Sequence, residues 1–176
     1  MERCIARLLV LLLLLAGGSA AARELAADEN ELLTVEVVSV VVLPGIDTPA
    51  VLLRDPLSGE MVPIFVGVFE AIAIEQALRG EIPPRPQTHD LALSLLDAGA
   101  VELKRLVIDE LRDDTFFAAL ELNRVGSDSL LRVDTRPSDG MALALRSGIP
   151  ILMARRVIEL SRPVEPGAPA ARVIST

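Results

Sequence analysis

The chain has no tryptophan, no tyrosine and only four phenylalanines. Base-stacking platforms of the kind that single-strand binders use are therefore poorly supplied. It has one cysteine and one histidine, Cys4 and His89, so no Cys/His zinc constellation can be built. Any resident metal must be held by Asp and Glu oxygens, which suit Mg²⁺, Mn²⁺ or Ca²⁺. Positive charge is also short: 17 Lys and Arg stand against 25 Asp and Glu, a formal net charge of −8 over 176 residues. An acidic surface repels phosphate backbones, so affinity for nucleic acid would have to be confined to a local basic notch.

The chain does have a strongly patterned N-terminus. Arg3 and Arg7 precede an unbroken apolar run at residues 8–15, and small residues follow up to Ala22. This is the layout of a secretory signal, with cleavage expected near Ala21 or Ala22. The apolar run is too short to span a bilayer comfortably, and the alternative to a cleaved signal is an uncleaved N-terminal anchor. Residues 1–22 are thus read as a signal peptide, and the product as exported to a periplasm or the exterior, without stable membrane association after cleavage. Loss of Cys4 would leave no thiol. Residues 23–32 read as a flexible leader, 33–160 as one α+β domain, and 161–176 as a disordered tail containing Pro163, Pro166 and Pro169.

Within the domain, Val-rich or alternating segments at 33–43, 50–54, 61–66, 103–109, 115–122, 129–134 and 151–154 read as strands, separated by Gly, Pro and Asp turns. The connections favour a mostly antiparallel sheet. Helical spacing covers 68–79, with Phe69, Ile72, Ala73, Ala77 and Leu78 expected to face the core. It covers 88–98 with Thr88 as N-cap and Leu91, Leu95 and Ala98 as a stripe, and 155–160 as a short helix. The stretch Met141 to Leu145 has no polar side chain and reads as a buried helix, started by Pro137 with Ser138 as N-cap. Ala77-Leu78-Arg79-Gly80-Glu81-Ile82-Pro83 echoes Ala144-Leu145-Arg146-Ser147-Gly148-Ile149-Pro150, which suggests an internal strand–helix duplication.

Polar residues that can do chemistry gather at three places. Glu70 sits in the first turn of one helix. Arg85, Thr88, His89 and Asp90 surround the start of another. Asp134, Arg136, Ser138 and Asp139 form a polar corner before the buried helix. Taken locally, each can be structural: acids and small polar residues cap helices and offset the helix dipole. Together, Val62-Pro63-Ile64-Phe65-Val66-Gly67 with Glu70, Pro84-Arg85-Pro86-Gln87-Thr88-His89-Asp90-Leu91, and Asp134-Thr135-Arg136-Pro137-Ser138-Asp139 resemble the bifunctional nuclease domain family in order and spacing. Gly140 departs from the alanine that usually follows the Ser-Asp pair. The resemblance implies an α+β fold and hydrolysis of both DNA and RNA.

Read as chemistry, the set gives metal-assisted phosphodiester hydrolysis. Asp134 and Asp139, joined by Glu70, would hold Mg²⁺ or Mn²⁺ and lower the pKa of a bound water. His89, helped by Asp90, would serve as general base or acid. Arg85, Arg136 and Ser138 would hold the substrate phosphate. The rival reading is a non-catalytic protein-interaction or phosphate-ligand-binding module in which the same residues are a structural polar network. A homo-oligomer is compatible with either. An open cleft lined by Glu70, Arg85, His89, Arg136 and Asp139 would favour an enzyme or ligand site, and the same residues buried and mutually paired would favour the structural reading.

Overall fold

A computed structural model describes residues 23–42, 44–161 and 172–173. The signal-like segment 1–22 lies outside the described residues, as does most of the proline-rich tail. Seven strands form one sheet in the order β3-β2-β1-β7-β4-β5-β6. They are β1 (Leu32–Val42), β2 (Pro49–Arg54), β3 (Met61–Phe65), β4 (Val101–Arg112), β5 (Thr115–Arg124), β6 (Leu130–Thr135) and β7 (Ile151–Ala154). A two-residue β8 (Arg172–Val173) adds to β1 opposite Val41 and Val42. All pairings are antiparallel except β4 with β7. The helices are α1 (Val68–Leu78), α2 (Thr88–Ala98), α3 (Pro137–Ser147) and α4 (Arg155–Leu160). The fold is α+β with a mostly antiparallel sheet, as the sequence pattern indicates.

The element order repeats. A three-stranded meander followed by a helix occurs as β1-β2-β3-α1 and again as β4-β5-β6-α3, and β7 joins the two meanders between β1 and β4. The two segments whose sequences echo each other close α1 and α3, the equivalent helices of the two halves.

The core lies between the sheet and the helices. Val51 and Leu53 of β2, Leu106 and Ile108 of β4, and Ala118 of β5 meet Ile74 of α1 and Met141, Ala142 and Ala144 of α3, all fully buried. At ~1.5–3 kcal/mol for each large apolar side chain removed from water, this layer dominates stability. Contact between α3 and β4 is close: a Cβ on Gly140 would collide with Leu106 Cδ1. The glycine that departs from the family pattern is thus matched by a full-sized leucine beneath it.

Three expectations about helices are corrected. In α1 the inward residues are Ala71, Ala73 and Ile74, while Phe69 is 86% exposed and Ile72 is 45% exposed. The helix is apolar on nearly every side, so spacing alone could not choose its inner face. In α2 no residue is fully buried; Ala92, Leu93 and Leu96 turn inward, and Leu91 and Leu95 face solvent. In α3 burial ends at Ala144, and Leu145 is only partly covered.

The opposite face of β4–β6 is covered by the segment read as a flexible leader. Leu106 faces α3, so by strand alternation Arg105 and Val107 point away. There Arg105 and Arg132 both donate to the buried Glu121, and both also bond Glu29, which lies in a single 3₁₀ turn. Nearby, Arg23 Nη1 lies 2.9 Å from Asp109 Oδ1, and the Ala26 N–H donates to Asp109 Oδ2 at 2.6 Å.

Candidate active site

Three helices begin at one cleft of about 410 Å³, whose lining includes Phe69, Glu70, Thr88, His89, Arg136 and Asp139. Each start has its own local cause. Gly67, extended at φ −68° and ψ 159°, precedes α1, and Glu70 is the third residue of its first turn. A Cβ on Gly67 would collide with Glu70 Oε2, so the glycine leaves the space into which this carboxylate folds. Gln87, not Thr88, caps α2, with Asp90 completing a reciprocal capping box. Arg136, not Ser138, precedes α3, because Pro137 takes the first helical position, where its missing N–H and fixed φ cost nothing.

Arg136 joins two of these starts. Its Nε and Nη2 donate to Asp139 Oδ2 and Oδ1 at 2.7 and 3.0 Å, a two-point guanidinium–carboxylate pair. Its Nη1 donates to Glu70 Oε1 at 2.9 Å. Asp139, by hydrogen bond and charge, and then Glu70 raise the Arg136 pKa further above its ordinary value, so the guanidinium is permanently charged. A guanidinium has five N–H bonds. The three hydrogen bonds leave one on each terminal nitrogen without a described partner. The side chain is 64% exposed. Across the cleft, His89 Nε2 lies 3.7 Å from Asp139 Oδ1. Glu70 accepts Arg136 through Oε1, leaving Oε2 without a hydrogen bond from a described residue.

This geometry gathers Glu70, His89, Arg136 and Asp139 and separates the others. Asp90 lies beside the cleft but is occupied: Oδ2 accepts the Gln87 N–H at 2.8 Å, and Oδ1 accepts Arg146 Nε at 3.1 Å. Ser138 is buried beneath the helix start and is not among the cleft-lining residues. Arg85 is exposed on the proline-rich loop, also outside the lining, and has no ion pair with a described residue. Asp134 is on the far face of the sheet. It stands opposite Ala119, on the side of Glu121 and Arg132, and its ion-pair partner is Arg23 at 3.3 Å. The carboxylate pair Asp134 and Asp139 is therefore not brought together. Among the described residues, no group of three His, Cys, Asp or Glu is arranged to hold a metal ion.

Sequence reasoning missed Arg146 as a site support. It bonds Asp90, the carbonyls of Ala73 and Ala142, and Gln87, tying the three helices together behind the cleft. Its sequence signal was the repeated Ala-Leu-Arg at the ends of α1 and α3.

The cleft combines a guanidinium with unspent donors, three helix N-termini with their partial positive charges, and the two carboxylates Glu70 and Asp139 that pair that guanidinium. Residues 51–164 match the family model described as bifunctional nuclease domain, and this range holds every residue of the cleft. The chain belongs to the bifunctional nuclease domain family. An uncharacterized protein of Mycobacterium tuberculosis is 39% identical over 124 residues, covering 70% of this chain and 73% of that protein. Bifunctional nuclease 1 of Arabidopsis thaliana is 28% identical over 105 residues, and bifunctional nuclease 1 of Oryza sativa subsp. indica is 27% identical over 98. The matches cover 58% and 55% of this chain but only 32% and 30% of those plant proteins. The family domain here is thus a fraction of what the plant proteins contain.

Proposed function

We propose that this domain hydrolyses phosphodiester bonds of DNA and RNA at the cleft formed by Glu70, His89, Arg136 and Asp139. The observation that carries the reading is Arg136, held rigid by two carboxylates with two N–H donors left for a phosphate. Preorganised donors of this kind are worth most where charge develops in a transition state. His89 moves the proton, as base toward an attacking water or acid toward the leaving oxygen, with Asp139 Oδ1 3.7 Å from its Nε2. Phe69, open at the cleft mouth, offers a face to a nucleobase. In this reading Arg85 lies outside the cleft and Asp134 takes no part.

The hard oxygen donors here are Glu70 and Asp139; Glu70 Oε2 has no hydrogen bond from a described residue, while both Asp139 oxygens accept Arg136 and would have to exchange that pairing for Mg²⁺ or Mn²⁺. Two carboxylates suffice for Mg²⁺ when water and substrate phosphate complete its shell. Such an ion would supply an activated water and charge stabilisation on the phosphate. Export is part of the proposal and rests on the signal-like residues 1–22. Among the described residues, no helix is long and apolar enough to cross a membrane.

A second reading has its own support. Each charged cleft residue already has an internal partner, so the network could brace three helices in a non-catalytic module that binds a phosphate ligand or a protein. Cleavage of labelled DNA and RNA with Mg²⁺, with Mn²⁺ and with EDTA separates the two. The enzyme reading expects turnover that falls ~10²–10⁴-fold in His89→Ala while the melting temperature holds. The bracing reading expects no turnover, and a lower melting temperature in the same variant.

A further inference from the structure

The two edges of the sheet are built differently. β3 carries Pro63 at its centre, opposite Leu52 of β2. Proline withholds an N–H and guards an edge against pairing. The other edge, β6, has the sequence Leu-Leu-Arg-Val-Asp-Thr and no such guard. Among the described residues it pairs with β5 alone. Leu131 and Val133 are 41% and 46% exposed on the helix side, and Leu130 is 46% exposed on the other. Apolar surface thus flanks an open ladder on both faces.

The charges of β6 choose its partner. In a regular antiparallel ladder, the residues that present N–H and C=O outward alternate. Two copies of one strand related by a two-fold axis can therefore only centre on a residue opposite itself. Centring on Arg132 sets two arginines face to face, and centring on Asp134 does the same for two aspartates. Centring on Leu131 sets Asp128 opposite Asp134. Like charges directly opposite are destabilising. Among the four centres inside the strand, which keep most of it paired, Val133 alone sets unlike charges opposite: Arg132 faces Asp134 twice and Leu131 faces Thr135 twice. The needed groups can be reached: Arg132 uses Nε and Nη2 internally, leaving Nη1, and the Asp134 side chain, although Oδ1 lies 3.3 Å from Arg23 Nε, is 67% exposed.

We propose that β6 pairs antiparallel with β6 of a second copy of this chain, with Val133 opposite Val133, joining two sheets into one. The two-fold axis then runs perpendicular to the sheet, so both helix layers lie on the same side. The two Arg136 residues are set six positions apart along the strands, roughly 20 Å. Both clefts face one direction, which suits an extended ligand that reaches both.

The test uses the full chain in a Cys4→Ser background. Sedimentation velocity over a micromolar concentration series is expected to show a dimer, with Asp134→Lys raising its dissociation constant at least ~10-fold, since a lysine would then oppose Arg132. Register is read by cross-linking. Directly opposite Cα atoms lie about 4.5–5.5 Å apart, within disulfide reach. Val133→Cys should form a linked dimer on mild oxidation. Leu131→Cys and Thr135→Cys should fail singly, each pair being about 13 Å apart along the strand, and should link when mixed. A monomer at every concentration overturns the proposal, as does self-linking of Leu131→Cys. So does a dimer that tolerates Asp134→Lys but is lost in Phe69→Ala, which would place the contact on the apolar face of α1.

Discussion

Arg136 Nη1 donates to Glu70 Oε1 across 66 residues of sequence, joining the start of the second half's helix to the start of the first half's. The same guanidinium grips Asp139 through two bonds. One exposed arginine thereby fixes two carboxylates at the mouth of a cleft.

Gly67 is expected to control Glu70 without touching Arg136. In Gly67→Ala the new methyl takes the space of Glu70 Oε2 and turns the carboxylate away from the guanidinium. Stability should fall only ~0.5–1 kcal/mol, as for an alanine at a helix cap. Turnover should fall ~10–10²-fold, because small displacements of a positioned group are costly. Paired melting curves and initial rates check both numbers; unchanged rates would remove Glu70 from the site.

Glu121 should set the acid limit of the fold. Burial acts to raise its pKa, but hydrogen bonds and charge from Arg105 and Arg132 outweigh this and hold it below its ordinary value. The unfolded chain therefore takes up this proton first. The stabilisation is fully present above about pH 4.3, the ordinary glutamate value, and is lost as pH falls through the lower folded value. Asp55, lowered by hydrogen bonds from Ser58 and Leu57, acts in the same direction. Glu121→Gln should cost ~3–5 kcal/mol at pH 7, as expected for breaking a buried pair, and should flatten the acid limb of the stability curve. An equally steep limb in the variant would contradict the assignment.

Gly140 and Leu106 should couple. Gly140→Ala gains about 1 kcal/mol of helix propensity but forces Leu106 to move in a filled core, at ~1–3 kcal/mol. The single variant should lie roughly 0–2 kcal/mol below wild type. Adding Leu106→Val should recover part of the loss despite removing a buried methylene. Urea melts of the two singles and the double measure the coupling, and strict additivity would refute it.

The meanders and helices were legible because their signals are local: valine-rich runs, turn residues and helix stops. Helix starts shifted by one or two residues where local rules competed: the cap moves from Thr88 to Gln87, and Pro137 at the first helical position moves it from Ser138 to Arg136. Asp134 reads as a partner of Asp139 only through proximity in sequence. Strand alternation puts it on the face away from the helices, and the period-two pattern of β6 already contained that information. Nothing local revealed that Glu121 would be buried between Arg105 and Arg132, since that network depends on strand register and on Glu29 crossing the sheet. Phe69 reads from sequence as an inward residue because α1 offers no polar face strong enough to orient it.

The most direct measurement is cleavage of DNA and RNA by protein freed of contaminating nuclease, comparing wild type with Arg136→Ala and Arg136→Lys. The side chain is largely exposed, so both variants should melt within ~1 kcal/mol of wild type. The account predicts clear wild-type turnover, a loss of at least ~10²-fold in Arg136→Ala, and incomplete rescue by lysine, which keeps the charge but cannot grip Asp139 at two points. Wild-type cleavage that survives Arg136→Ala at full rate, or no wild-type cleavage with Mg²⁺ or Mn²⁺, would contradict it.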